Sequence, residues 1–169
     1  MTAVAQRSDG DTANLWRVLA DIPDPEIPVL SLVDLGVIRY ATVEAEGTAR
    51  IGLSPTYSGC PATEVIRGMI ARALAAQGIR AEIVEVLSPP WTSDWISSAG
   101  RQKLRDYGIA PPEESVGSPR RLLQGDLKVT CPRCGSRETA RISEFGSTPC
   151  KALYRCTSCL EPFDYFKCL

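Results

Sequence analysis

The sequence predicts an α+β fold: a compact α/β domain followed by a small β zinc ribbon. Three observations predict it. Six of the seven cysteines fall in the last 39 residues, and four form matched pairs, Cys131-Pro132-Arg133-Cys134 and Cys156-Thr157-Ser158-Cys159. Two residues between cysteines let a tight turn aim both sulfurs at one ion, and a second such turn completes a tetrahedral all-sulfur shell of the kind zinc prefers. Upstream, helical and strand periodicities alternate in the order helix, hairpin, helix, strand, helix, which describes a compact α/β domain. A Pro/Gly-rich stretch then separates the two parts.

Each element has its own signal. Thr12 to Asp21 reads as a short helix with Leu15, Val18 and Leu19 on one face, stopped by Pro23 and Pro25. Val37 to Glu44 and Ala49 to Ser54 alternate as two strands joined by the turn Ala45-Glu46-Gly47-Thr48. Pro61 to Gln77 carries the strongest helical pattern. Pro61 suits the first helical position, Ile66, Met69, Ile70, Ala73 and Leu74 recur at helical spacing, and Gly78 supplies a left-handed stop. Ala81 to Leu87 reads as a buried strand. A further helix is expected from about Ser93 to Tyr107, capped by Thr92 or Ser93 and terminated by Gly108. In the tail, the 21 residues between Cys134 and Cys156 read as two short strands, within Thr139 to Phe145 and Leu153 to Arg155. The expected organisation is a domain over 12–110, a linker over 111–121 containing Pro111-Pro112, Glu113-Glu114 and Gly117-Ser118-Pro119, and the ribbon over 122–169.

Composition narrows the chemistry. The chain has 169 residues and no histidine, which excludes imidazole general bases, Cys-His and Ser-His-Asp machinery and His-ligated metals. Residues 1–119 carry 10 Lys and Arg against 15 Asp and Glu, and residues 120–169 carry 9 against 5. An ion held by four thiolates would offset part of that basic excess with a net −2. The first 14 residues are polar, and no later segment approaches the ~20 apolar residues of a membrane span, so a cytoplasmic location is expected. There cysteines bind metals or react more often than they form disulfides. A structural zinc held by Cys131, Cys134, Cys156 and Cys159 is the leading reading, with a rubredoxin-like iron site or disulfides as alternatives.

Three segments outside the ribbon could carry function. Cys60 stands in Ser54-Pro55-Thr56-Tyr57-Ser58-Gly59-Cys60-Pro61, between a strand end and a helix start. A thiol there would face free amides and the positive end of the helix dipole, which favour thiolate. The plainer reading is a small apolar residue filling the helix start. Asp24-Pro25-Glu26-Ile27-Pro28 places two carboxylates, Asp24 and Glu26, in a stiff loop, or else Asp24 merely caps a turn. Trp91 and Trp95 could form a partner surface, although stapling onto the core is the commoner use.

Asp24 to Pro28, Val33-Asp34-Leu35-Gly36 and Thr56 to Pro61 together resemble the metal-sulfur cluster biosynthesis domain of iron-sulfur assembly factors, over roughly residues 12–108. The stretches Pro89 to Ile96, Glu144-Phe145-Gly146-Ser147-Thr148-Pro149-Cys150-Lys151-Ala152-Leu153-Tyr154-Arg155-Cys156 and Glu161-Pro162-Phe163-Asp164-Tyr165-Phe166-Lys167-Cys168 extend this. With them, nearly the whole chain is similar to the D-subunit family of the phenylacetyl-CoA epoxidase system of bacterial phenylacetate degradation. The resemblance implies assistance rather than catalysis. The chain lacks the Glu-x-x-His ligands of a di-iron bundle and the Gly-rich fingerprint of a flavin or nicotinamide domain. The implied task is to mature or insert the [2Fe-2S] cluster of the reductase, with Cys60 as a transient ligand and the ribbon as a docking module. One cysteine cannot supply a cluster's four thiolates, so a homodimer, the reductase or oxygenase partner, or a small thiol must complete the set. Cys150 and Cys168 could pair with each other, pack or offer auxiliary ligands. Alternatives are a scaffold acting by contact alone, a thiol enzyme built on Cys60 without histidine, and a nucleic-acid-binding ribbon. The last is disfavoured by a pI of about 5.6 and by arginines interspersed with acids.

Overall fold

A computed structural model describes residues 9–57, 59–112 and 129–167. These form two compact units, Met1–Trp91 and Thr92–Leu169.

The first unit opens with α1 (Asp9–Ala20), whose buried stripe is Leu15 and Leu19, with Val18 half-buried. After Pro23 the chain turns to β1 (Ile38–Val43), which pairs antiparallel with β2 (Ala49–Leu53). The hairpin closes at the expected residues: Glu44 N–H donates to Thr48 C=O at 2.8 Å, and Gly47 takes a φ of 90° that L side chains resist. The helix α2 (Ala62–Ala76) crosses over to β3 (Ala81–Glu85), which lies parallel to β2 and completes a sheet of order β1-β2-β3. Pro61 is the cap of α2 rather than its first residue, Ile66, Ile70 and Leu74 are its buried stripe, and Gly78 has a φ of 72°. The strand β3 differs from the expectation of burial. It is an edge strand, with Glu82 and Glu85 exposed and Ile83 and Val84 half-buried.

The second unit begins with a 3₁₀ turn at Ser93–Trp95, capped by the Thr92 hydroxyl. The expected single helix is broken here. Ile96 and Ser97 are extended, and α3 (Ser98–Tyr107) starts anew with the Ser97 hydroxyl accepting from Gly100 N–H at 2.9 Å. Two caps in quick succession, Thr92 and Ser97, explain the break, because each satisfies amides that a continuous helix would have bonded internally. Gly108 ends α3 in the left-handed region and leads into β4 (Ile109–Ala110). The strands β5 (Thr139–Ser143), β6 (Lys151–Cys156) and β7 (Pro162–Phe166) follow. Their sheet has the order β4-β7-β6-β5, with β4 parallel to β7 and the other pairs antiparallel. Its core is Ala110, Val129, Cys131, Ala152, Tyr154, Cys156, Phe163 and Tyr165. Tyr154 stacks on Phe163 at 6.0 Å and meets Tyr165 edge-on at 5.5 Å. Of the expected linker, only Pro111 and Pro112 lie within the described residues, and Cys168 lies outside them.

Candidate metal centre and thiol site

Each cysteine pair sits on a tight turn. In the first, Gly135 N–H donates to Cys131 C=O at 2.9 Å, Cys131 N–H donates to Ser136 C=O at 2.9 Å, and Gly135 has a φ of 74°. In the second, Cys156 N–H donates to Glu161 C=O at 3.0 Å, and Leu160 takes a φ of 67° at the step where the first turn uses glycine. The turns are tied together. The Ser136 and Ser158 hydroxyls meet at 2.8 Å, and Glu138 C=O accepts from Thr157 N–H at 2.8 Å.

This scaffold brings four sulfurs into one group. The Sγ atoms of Cys131, Cys134, Cys156 and Cys159 all lie within 4.8 Å of one another, with Cys131 to Cys159 at 3.8 Å and Cys134 to Cys156 at 3.6 Å. An ion bonded tetrahedrally to sulfurs at about 2.3 Å spaces them about 3.8 Å apart, so the group fits one metal ion. Cys131 and Cys156 are buried, whereas Cys134 and Cys159 are exposed, and none is in a disulfide. The protons are unequally held. The Cys159 amide, which points at Cys156 Sγ from 3.5 Å, acts with the Ser158 amide and the thiols of Cys134 and Cys159 against burial to lower the Cys156 thiol from 9.0 to about 6. For Cys159 the Glu161 amide pulls the same way, but partial desolvation of the sulfur and the sulfurs of Cys134, Cys156 and Cys131 outweigh it and push the thiol up to about 12.

The other sequence candidates do not converge. Among the described residues the four-cysteine group is the only set of three or more cysteines or carboxylates close enough to share an ion, and Asp24, Glu26 and Cys60 form none. Asp24 is buried, and its Oδ1 accepts from the Glu26 and Ile27 amides at 3.0 and 2.8 Å, which closes its own turn. Cys60 is half-buried just ahead of α2. Gly59 before it has a φ of 81°, Cys60 N–H donates to Tyr57 C=O at 3.2 Å, and Cys60 C=O accepts from Thr63 N–H at 3.1 Å. Trp91 staples the first unit, donating its indole N–H to Leu35 C=O at 3.0 Å. Cys150 is buried with the Thr148 hydroxyl 3.0 Å from its sulfur. The sequence does not reveal Leu160, since leucine is not a left-handed turn signal, nor the Ser136–Ser158 link, since it joins residues 22 apart.

Known proteins align with both halves of the chain. A family model described as the PaaD zinc beta ribbon domain matches residues 115–167, and one described as an iron-sulfur cluster assembly protein matches residues 12–87. The chain is 52% identical over 156 residues to an Escherichia coli (strain K12) protein named as the D-subunit of a "putative 1,2-phenylacetyl-CoA epoxidase", covering 92% of each. It is 31% identical over 86 residues to the Fe-S protein maturation auxiliary factor YitW of Bacillus subtilis (strain 168), covering 50% of this chain and 83% of that one. The crystal structure of a DUF59 domain from Bacillus anthracis shares the fold, with a TM-score of 0.53 and 24% identity over 57% of this chain and 92% of that one. Among the described residues no helix is long and apolar enough to cross a membrane.

Proposed function

Since this chain belongs to the D-subunit family of 1,2-phenylacetyl-CoA epoxidase, we propose that it is an accessory factor of that multicomponent system, aiding assembly or insertion of the iron-sulfur cluster of the reductase. The observation that carries this reading is the pairing, in one chain, of an iron-sulfur assembly match over 12–87 with a ribbon match over 115–167. The cluster is cargo here, and no catalysis by this chain is invoked. Cargo handling falls to the 12–110 stretch, whose residues from Thr92 onward fold with the second unit, and docking to the 122–169 ribbon, in the cytoplasm. Cys60 serves as a transient thiolate ligand. In support of this reading, Cys60 is only half-buried and follows a glycine at positive φ, which fixes the turn ahead of α2. Asp24 and Glu26 act through the shape of their loop, since Asp24 spends one carboxylate oxygen on its own turn. The ribbon ion is zinc, structural, and held by Cys131, Cys134, Cys156 and Cys159. A four-thiolate shell with no open position suits a structural site rather than a catalytic one.

The test is the cluster content of the reductase purified from cells carrying Cys60→Ser. Expected is flavin-replete reductase with depleted [2Fe-2S] cluster and slowed growth on phenylacetate. Full cluster occupancy would refute delivery by that thiol and favour a scaffold that acts by contact alone. Elemental analysis of the purified chain should give one zinc; iron in its place would overturn the metal assignment.

A further inference from the structure

Within the second unit a cavity of about 520 Å³ is lined by one face of α3, by Pro111 and Pro112, and by the first cysteine turn. Ser98, Arg101 and Arg105 recur at spacings of three and four on α3, so all three side chains share its face. Arg101 is buried, at 8% exposure, and fixed: one terminal nitrogen donates to Pro112 C=O and the other to Ser93 C=O at 2.8 Å. Two of its five donors are thereby used and both acceptors are neutral. Arg105, one turn on, meets only Gln102 Oε1 at 3.4 Å. Neither arginine makes an ion pair among the described residues.

That arrangement leaves the charge of Arg101 held by neutral carbonyls alone. A buried guanidinium ordinarily has an acidic partner, and two like charges at i, i+4 repel. The thiolate centre accounts for Arg133, which lies between its own two cysteines and beside Gly108, and the last turn of α3 suits the cation of Arg105, but neither accounts for the interior placement of Arg101. The cavity also offers the hydroxyl-bearing residues Ser98 and Thr130 and an apolar wall of Pro111, Pro112 and Pro132. Its volume lies in the range of small-molecule sites. We propose that this cavity binds a small organic phosphate, its phosphoryl oxygens held by Arg101 and Arg105 and its organic part resting on the proline wall. Paired guanidinium forks match phosphoryl oxygens bidentately, and the concavity favours a small molecule over a protein surface.

The experiment titrates the metal-loaded full chain with pyrophosphate, with ADP as an organic phosphate, and with citrate as a carboxylate of similar charge. Binding is followed by calorimetry and by amide shifts. Expected is saturable binding of pyrophosphate and ADP that moves the amides of Ser98, Arg101, Arg105 and Thr130, with ADP tighter than pyrophosphate because of the wall. The exposed Arg105→Gln change should weaken it about tenfold, the loss of one charge-assisted hydrogen bond, with metal content unchanged. Arg105→Lys should recover only part of the affinity, because a point charge lacks the fork. The proposal is overturned by an absence of saturable shifts at these amides, by binding indifferent to Arg105→Gln, or by citrate binding as tightly as pyrophosphate.

Discussion

Leu160 and Gly135 each follow the second cysteine of a turn and both take positive φ, yet one is glycine and the other a branched residue. An L side chain there costs about 1–2 kcal/mol, which the second turn sustains because its amides converge on sulfur. Those amides lower the Cys156 thiol to about 6, while its neighbours push Cys159 up to about 12. In the metal-free chain the signs are therefore opposite. The Cys156 contribution to stability is fully present above 9.0 and is lost as pH falls through about 6. The Cys159 contribution is fully present below 9.0 and is lost as pH rises through about 12. Metal binding must displace whatever protons remain. At neutral pH it displaces one from Cys159 and essentially none from Cys156. A plot of log apparent affinity against pH, from competition with a chromophoric chelator, should gain one unit of slope as pH drops below about 6. A slope that stays constant through that region would show that Cys156 is not held as a thiolate.

At the scale of elements, the β1–β2 pairing shows how a local weakness is covered. Gly52 stands opposite Tyr40, and a Cβ on Gly52 would overlap the Tyr40 ring, so the ring lies over the backbone that glycine leaves bare. Gly52→Ala should destabilise the first unit by about 1–3 kcal/mol through overpacking. Tyr40→Ala in the same background should relieve the clash, so the double variant should be less destabilised than the sum of the two single changes. Urea unfolding of the four proteins tests this, and simple additivity would contradict it. The helices α1 and α2 and the hairpin were legible because each carries a periodic apolar stripe and a glycine or proline stop. The elements that were not legible owe their existence to distant partners. The two residues of β4 are a strand only because β7 runs beside them, and β7 starts on a proline, which a strand accepts only as its first residue or at an edge. The four-sulfur group could be read from spacing alone, since turn geometry is local. The burial of Arg101 could not, because arginine is seldom interior and its carbonyl acceptors come from Ser93 and Pro112 in other segments.

At the scale of the molecule, the compact units decide how far the loss of metal should spread. The core of the second unit is small and includes two of the sulfur ligands, Cys131 and Cys156, beside Tyr154, Phe163 and Tyr165. So little apolar surface stabilises a fold weakly, and ion binding must supply much of the remainder. The unit begins at Thr92 rather than at the cysteines. Its β4 bonds to β7, and Arg101 of α3 ties Ser93 to Pro112, so α3 is built into the same cooperative block as the ribbon. Chelating the ion from the full chain, or introducing Cys134→Ser, should therefore abolish amide protection in β5, β6 and β7 and also in α3 and at Ile109–Ala110. The first unit has its own core of Leu15, Leu19, Ile51, Leu53, Ile70 and Leu74, and its β1–β3 sheet and α2 should keep their protection. Hydrogen exchange read residue by residue separates the outcomes. If α3 stays protected when the ribbon strands open, the helix is not part of the metal-dependent block. If the first sheet opens as well, the two units do not unfold independently, because a block whose stability comes from the ion can release only the hydrogen bonds that depend on it.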